Sequence, residues 1–152
     1  MIGLDDSARK LNNSLLQALL ASEYVLATKV RKFHWNVKGE EFMMLHEMFG
    51  KMYEDINDQA DEIAERIRQL DGTPNGTLQE FIDNSFLKEG TLPVASSNMI
   101  QDLVDDSDKM VSEMRAAIPK AEANKDFGTM DLITGWMELH EKQLYFLRSH
   151  LA

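Results

Sequence analysis

Four side chains have the types and spacing to hold a metal ion. His34 and His46 stand twelve residues apart, and Asp61 and Glu65 follow at a spacing of four, one helical turn. Imidazole and carboxylate together make a ligand set that non-haem iron, zinc and manganese accept. Gly39 breaks the helical pattern about five residues after His34 and seven before His46, so an antiparallel hairpin sets the two rings opposite each other. His46 and Asp61 instead fall fifteen residues apart on one continuous predicted helix, roughly 22 Å at ~1.5 Å rise per residue. Metal–ligand bonds are only ~2 Å long. One chain therefore cannot close a four-ligand site. A two-fold dimer with its second helices antiparallel would bring each chain's histidines to the other's carboxylates, twice. Singly, each group has a blander reading: a satisfied histidine on a helix flank, or a solvated Asp/Glu face with Arg66 and Arg68 close by for surface pairs.

The elements that must position these residues are helices. Leu11, Leu15, Leu19, Ser22, Leu26, Val30, Phe33 and Val37 recur at three- and four-residue steps, the stripe of an amphipathic helix. Asp5, Asp6 or Ser7 can cap its start, and it should end near residue 37. A second helix is expected over roughly residues 40–71, with Phe42, Leu45, Phe49, Met52, Ile56, Ile63, Ile67 and Leu70 on its apolar side; Gly72, Pro74 and Gly76 stop it. Thr77-Leu78-Gln79-Glu80 reads as a capping box opening a short helix to about Phe86. A loop over residues 87–97 follows. The third long helix should start near Ser97 or Asn98, with Pro119 kinking it or marking its last turns. The fourth opens near Asp126 and runs almost to the end. No strand-like alternation competes. The expected fold is all-α: a single domain over residues 1–152, a four-helix bundle with a short extra helix in the long connection between helices two and three. One long crossover marks ferritin-like bundles rather than simple up-down ones.

Composition narrows the chemistry. The 152 residues carry 26 acidic against 16 basic side chains, a net charge of −10. Phosphate binding needs a basic surface or arm, and neither end of the chain carries one, so direct DNA binding is disfavoured. Cysteine is absent, which removes disulfides, thiolate metal sites and thiol nucleophiles. No apolar run approaches the roughly 18–20 residues of a membrane span. The start lacks the basic and apolar stretches of a signal peptide, so a cytoplasmic location is expected.

Lys32-Phe33-His34-Trp35-Asn36-Val37-Lys38-Gly39, then Phe42, Leu45-His46-Glu47 and Asp61-Glu62-Ile63-Ala64-Glu65-Arg66-Ile67, resembles the Dps family of mini-ferritins. The likeness continues through Gly72-Thr73-Pro74 and the last helix and covers nearly the whole chain. The resemblance implies a hollow dodecamer of four-helix subunits built from two-fold dimers, with the short helix at the dimer interface. It implies oxidation of Fe(II), usually by hydrogen peroxide in preference to oxygen, storage of the ferric product inside, and protection against oxidative stress. The implied inter-subunit ferroxidase centre takes His34 and His46 from one chain and Asp61 and Glu65 from its partner. Iron is the implied metal, with zinc or manganese as substitutes, and Trp35 matches the family's aromatic neighbour of the centre.

One departure is notable. The family usually has a carboxylate four residues after the second histidine, and here Gly50 stands there. Either water takes the lost oxygen ligand's place or iron binding is weakened; the expectation is that Gly50→Asp raises iron affinity or oxidation rate. No Glu-x-x-His occurs, so the in-bundle di-iron site of ferritins proper cannot be assembled in the usual way. His140, between Trp136 and Leu144 on the apolar side of the last helix, reads as structural, and the methionines read mainly as core filling. Glu122, Asp126 and Asp131 lie where the family lines its three-fold entry pores with acids, and are candidate pore residues. Two rival functions remain: a nucleoid DNA-binding protein, and a cage scaffold with a degraded metal site.

Overall fold

The computed structural model describes residues 1–92 and 94–152; Pro93, inside the expected loop 87–97, lies outside the described residues. Five helices form among the described residues: α1 (Asp6–Asn36), α2 (Phe42–Gln69), α3 (Leu78–Asn84), α4 (Ser96–Ala123) and α5 (Phe127–Leu151). Side-chain caps open α1, α3 and α5. Asp5 accepts the amide of Ala8 at 2.7 Å to open α1, and Thr77 with Glu80 completes the capping box of α3. Pro119 sits one turn before the end of α4, which runs on to Ala123. The left-handed residue that stops α2 is Asp71, with φ +63°, while the Gly72 amide reaches back to the carbonyl of Ile67. Gly39, at φ +109°, makes the α1–α2 turn, a conformation that costs a residue without Cβ little.

Side-chain pairs across the bundle give its topology. His34 meets His46, Glu23 meets Gln59 and Asn13 meets Leu70, so α1 and α2 are antiparallel. Arg66 meets Thr129 and Glu62 meets Trp136, so α2 and α5 are antiparallel too. Arg115 with Glu141 and Asp108 with Arg148 give the same sense to α4 and α5. Helices α2 and α4 must then run parallel, and the chain between them has to cross the bundle from end to end. That crossover carries α3, which stacks Phe81 on Tyr24 of α1 with ring centroids 4.3 Å apart.

The core is aliphatic and methionine-rich: Leu16, Leu26, Phe33, Leu45, Phe49, Ile56, Ile63, Ile67, Leu103, Met110, Met114 and Leu147 are fully buried. Met52, Met99 and Met137 join them, as core filling predicts. The stripe of α1 is rotated from its expected position at the start of the helix. Leu11 is exposed and Leu15 half-buried, while Leu16, Leu20 and Glu23 face inward. Asn12 is the reason: its side chain donates to Asp126 and accepts from Asn124, which ties that polar face of α1 to the α4–α5 corner.

Candidate metal centre

The α1–α2 hairpin brings His34 and His46 together. Their rings stack with centroids 3.8 Å apart and planes 15° from parallel. His34 Nδ1 lies 2.5 Å from the carbonyl oxygen of His46, and His46 Nδ1 lies 2.8 Å from that of His34. A carbonyl only accepts, so each Nδ1 carries the proton and donates. In the neutral rings the lone pair then sits on Nε2, the tautomer a metal ligand needs. One of these bonds also completes the fold. α1 ends at Asn36, so the His34 carbonyl belongs to the helix's last four, which have no partner within the helix. His46 caps it.

Aromatic neighbours hold the pair from outside. Phe42 stacks on His46 at 5.1 Å, and Tyr53 meets His34 edge-on at 5.5 Å. Tyr53 was not a candidate from sequence, although His46, Gly50 and Tyr53 share one face of α2 at spacings of four and three. Trp35 is 65% exposed beside His34, with the Arg31 guanidinium 5.2 Å above its ring. Gly50 sits directly against the His34 ring. A Cβ placed on it would lie 3.1 Å from Cε1 and 3.2 Å from Nδ1 of His34. A side chain at position 50 would therefore pack tightly on the imidazole, which would have to give by a few tenths of an ångström.

Asp61 and Glu65 are exposed on the same unbroken α2, far along the helix from His46. Among the described residues, no group of three or more His, Asp or Glu side chains comes together to hold a metal ion. Asp61 instead lines a groove of about 290 Å³ with Tyr24, Arg31 and Phe81, between α1, α2 and α3. The neighbouring acid and base have other partners: Glu62 accepts the Trp136 indole N–H, and Arg66 pairs with Asp126 at 2.7 Å.

The three candidate pore acids divide. Glu122 and Asp131 are exposed near the α4–α5 corner. Asp126 is 2% exposed and has a different task from the expected pore lining. It caps α5 through the Thr129 amide and also accepts from the Thr129 hydroxyl, Asn12 and Arg66. Burial by itself would raise its carboxyl. The two Thr129 bonds, the Arg66 charge and Asn12 outweigh that and hold it below the ordinary carboxylate range. A carboxylate enclosed in this way has no face left for solvent.

His140 is structural as expected, within a buried polar node. Its Nε2 and the Gln59 amide both meet Oε1 of Glu23, at 2.7 and 2.6 Å, in the middle of the bundle. The node holds one carboxylate and one imidazole, both fully buried. A charged residue in the α1 stripe is the signal that could have found Glu23.

Comparison with known proteins agrees with this architecture. A ferritin-like domain profile matches residues 13–152. An uncharacterised low temperature-induced protein of Nostoc sp. is 37% identical, over 99% of this chain and 85% of its own length. DNA protection during starvation protein 2 of Bacillus anthracis is 33% identical, over 93% of this chain and 99% of its own. The crystal structure of the Vibrio cholerae Dps protein, a member of a broad superfamily of ferritin-like diiron-carboxylate proteins, superposes with a TM-score of 0.96 at 30% identity, covering 100% of this chain and 96% of that one. The chain belongs to the ferritin-like family and, within it, to the Dps proteins.

Proposed function

We propose that this protein is an iron-storage ferroxidase, oxidising Fe(II) at sites shared between two subunits and holding the ferric product in a closed homo-oligomer, a dodecamer of two-fold dimers. In the proposed reaction two Fe(II) ions each give one electron to one hydrogen peroxide molecule. Its O–O bond breaks to leave two hydroxide ions, so no hydroxyl radical escapes. The chain's own part is to hold two imidazoles with Nε2 free and to present two carboxylates to a partner.

The carrying observation is the reciprocal bonding of His34 and His46, which prepares two metal-ligating nitrogens at one end of α2. Asp61 and Glu65 are the oxygen donors at its other end, complete only against a second copy. The groove beside Asp61 supports that partner, because α3 supplies Phe81 to it and leaves Leu78 71% and Ile82 48% exposed on its outer side. Glu122 and Asp131 are proposed entry-path acids that would concentrate Fe(II) by their field. Zinc is a useful redox-silent stand-in: a structure of a Dps of Listeria innocua soaked with zinc is known.

The test is Fe(II) oxidation followed by stopped flow with peroxide as oxidant, then size-exclusion chromatography of the product. Iron co-eluting with an assembled cage supports the reading. An assembled cage that oxidises no Fe(II) and retains none would leave only the scaffold role. Several relatives are named for DNA protection, but a chain of net charge −10 need not touch DNA to protect it if it removes the iron. A gel shift by metal-free protein at low salt would reverse that view.

A further inference from the structure

We infer that Arg31 is a clamp for the partner subunit's carboxylates. In the metal-free assembly its guanidinium pairs with the partner's Asp61 and the partner's Glu65. A metal ion at the histidines competes with it for those oxygens. The inference deepens the shared-site reading above and rests on it.

Arg31 is the one arginine without a partner among the described residues. Arg9, Arg66, Arg115 and Arg148 each hold a carboxylate, and Arg68 donates to the Gly72 carbonyl. Arg31 has neither, in a chain of net charge −10. Its Nε is buried and makes no hydrogen bond, and its guanidinium lies over the Trp35 ring at 5.2 Å. The residue as a whole is only half-buried. One N–H has thus left water without return, and the rest of the fork is open to an acceptor from outside the fold.

No acid of the same subunit can supply it. The register set by His34 with His46 and Glu23 with Gln59 puts Arg31 level with Gly50, which has no side chain to offer. Asp61 lines the same groove as Arg31 between α1, α2 and α3. It stands eleven residues beyond position 50 on α2, roughly 16 Å away at ~1.5 Å rise per residue. The groove therefore has a basic end and an acidic end that do not meet. A two-fold axis through its middle exchanges the ends and sets Arg31 against the partner's Asp61. The same operation completes the metal centre, because Arg31 lies three residues before His34 on one face of α1, with Cβ atoms ~5–6 Å apart. The planar guanidinium fork matches carboxylate oxygens two at a time.

Those oxygens then have two claimants, and the two cations repel each other across them. Metal binding loosens the clamp, and the clamp weakens metal binding by the same factor.

Arg31→Gln removes the charge and moves two readouts in opposite directions. Metal-free wild type and variant are compared by sedimentation velocity, in urea just sufficient to dissociate half of the wild-type assembly. The variant should need ~10-fold or more protein to stay assembled, the scale of a truncated interfacial charge pair. Its zinc affinity, from titration calorimetry of assembled protein, should instead rise ~5-fold or more. Arg31→Lys keeps the charge without the fork and should fall between the two in both measurements. A side chain that only packed on Trp35 would weaken assembly without tightening zinc. Zinc binding that is unchanged or weaker in Arg31→Gln overturns the inference.

A double-mutant cycle on metal-free protein separates this inference from the shared-site reading. In an Asp61→Ala/Glu65→Ala background, Arg31→Gln should cost assembly nothing further. An equal cost in both backgrounds would show that Arg31 pairs elsewhere, and would leave the metal centre standing. Cancellation of the cost, with no zinc held at the histidines of the wild type, would uphold the pairing and remove the metal centre instead.

Discussion

His34 and His46 each donate from Nδ1 to the other's main-chain carbonyl, across a turn made by Gly39. One pair of bonds thus serves two ends: it satisfies a carbonyl at the α1 terminus and fixes the tautomer of both rings. Folding of the hairpin and preparation of the ligands are the same event, since neither ring can leave its pose without uncapping or unstacking the other.

Replacing His46 with alanine should therefore damage both chemistry and stability, in unequal measure. Losing one hydrogen bond to a helix-end carbonyl costs about 1 kcal/mol, too little to unfold a subunit with this core. Losing a ligand should lower the rate of Fe(II) oxidation by at least ~10-fold. Stopped-flow rates together with thermal melts separate the two. A variant that melts normally and oxidises iron at the wild-type rate would remove His46 from the site.

Trp35 offers an optical report on the same place. It is exposed next to His34, whereas Trp136 is 4% exposed and donates to Glu62 in the bundle. Binding of Fe(II) or Co(II) at the histidine pair should quench the red-shifted Trp35 emission more strongly than that of Trp136. Trp35→Phe should abolish most of the quench while leaving metal affinity within about twofold, because the ring lies beside the ligands without bonding to them. Quenching that persists in Trp35→Phe would place the metal elsewhere.

Much of this was legible in the sequence, for identifiable reasons. Helices α1, α2, α4 and α5 announce themselves by apolar spacing, α3 by its capping box, and the His34–His46 encounter by their distances from Gly39. What could not be read depends on partners distant in the chain. Asp126 sits in a run that looks like an exposed corner, and its burial is decided by Arg66, sixty residues earlier, and Asn12, further still. Glu23 lies in an apolar stripe, where its inward direction is set by Gln59 and His140. Gly50 showed in sequence only as a missing carboxylate; that it lies against the His34 ring is a fact of packing.

Asp126 carries a stability prediction with a pH signature. Its alanine variant loses a helix cap and leaves Arg66 without its carboxylate partner, a combined loss of about 2–4 kcal/mol. The folded carboxyl titrates below its unfolded value. Its contribution is therefore fully present above roughly pH 4, where the unfolded group is ionised, and is lost as pH falls through the folded value. Melting temperature plotted against pH should fall more steeply on the acid side for wild type than for Asp126→Asn. Parallel acid limbs would show that the network does not favour the ionised form.

The node of Glu23 and His140 should respond in the opposite manner to single and double replacement. Both side chains are fully buried and share a bond at 2.7 Å, so His140→Leu leaves the buried Glu23 with Gln59 as its one remaining partner, at a cost of roughly 1–3 kcal/mol. Glu23→Leu with His140→Leu removes the need for pairing and should recover part of that loss, as apolar replacement of a buried pair can. Denaturant midpoints of the three proteins decide it. A double variant no more stable than His140→Leu would mean that Gln59 and its neighbours, rather than the pair, set the cost.

Complementation between two inactive variants tests the shared site directly. A His34→Ala/His46→Ala subunit keeps its carboxylates, and an Asp61→Ala/Glu65→Ala subunit keeps its histidines. Dimers of either kind alone hold no complete site under the proposed arrangement. Mixed in equal amounts and reassembled, half of the dimers pair one of each. In such a dimer one site joins intact histidines to intact carboxylates, and the other joins two damaged halves. One site in four is then complete, so the mixture should recover about a quarter of wild-type Fe(II) oxidation from two inactive parents, an expectation set by two-fold symmetry alone. Recovery of nothing, with mixed assembly verified by mass spectrometry, would mean that the histidines and carboxylates never meet across an interface.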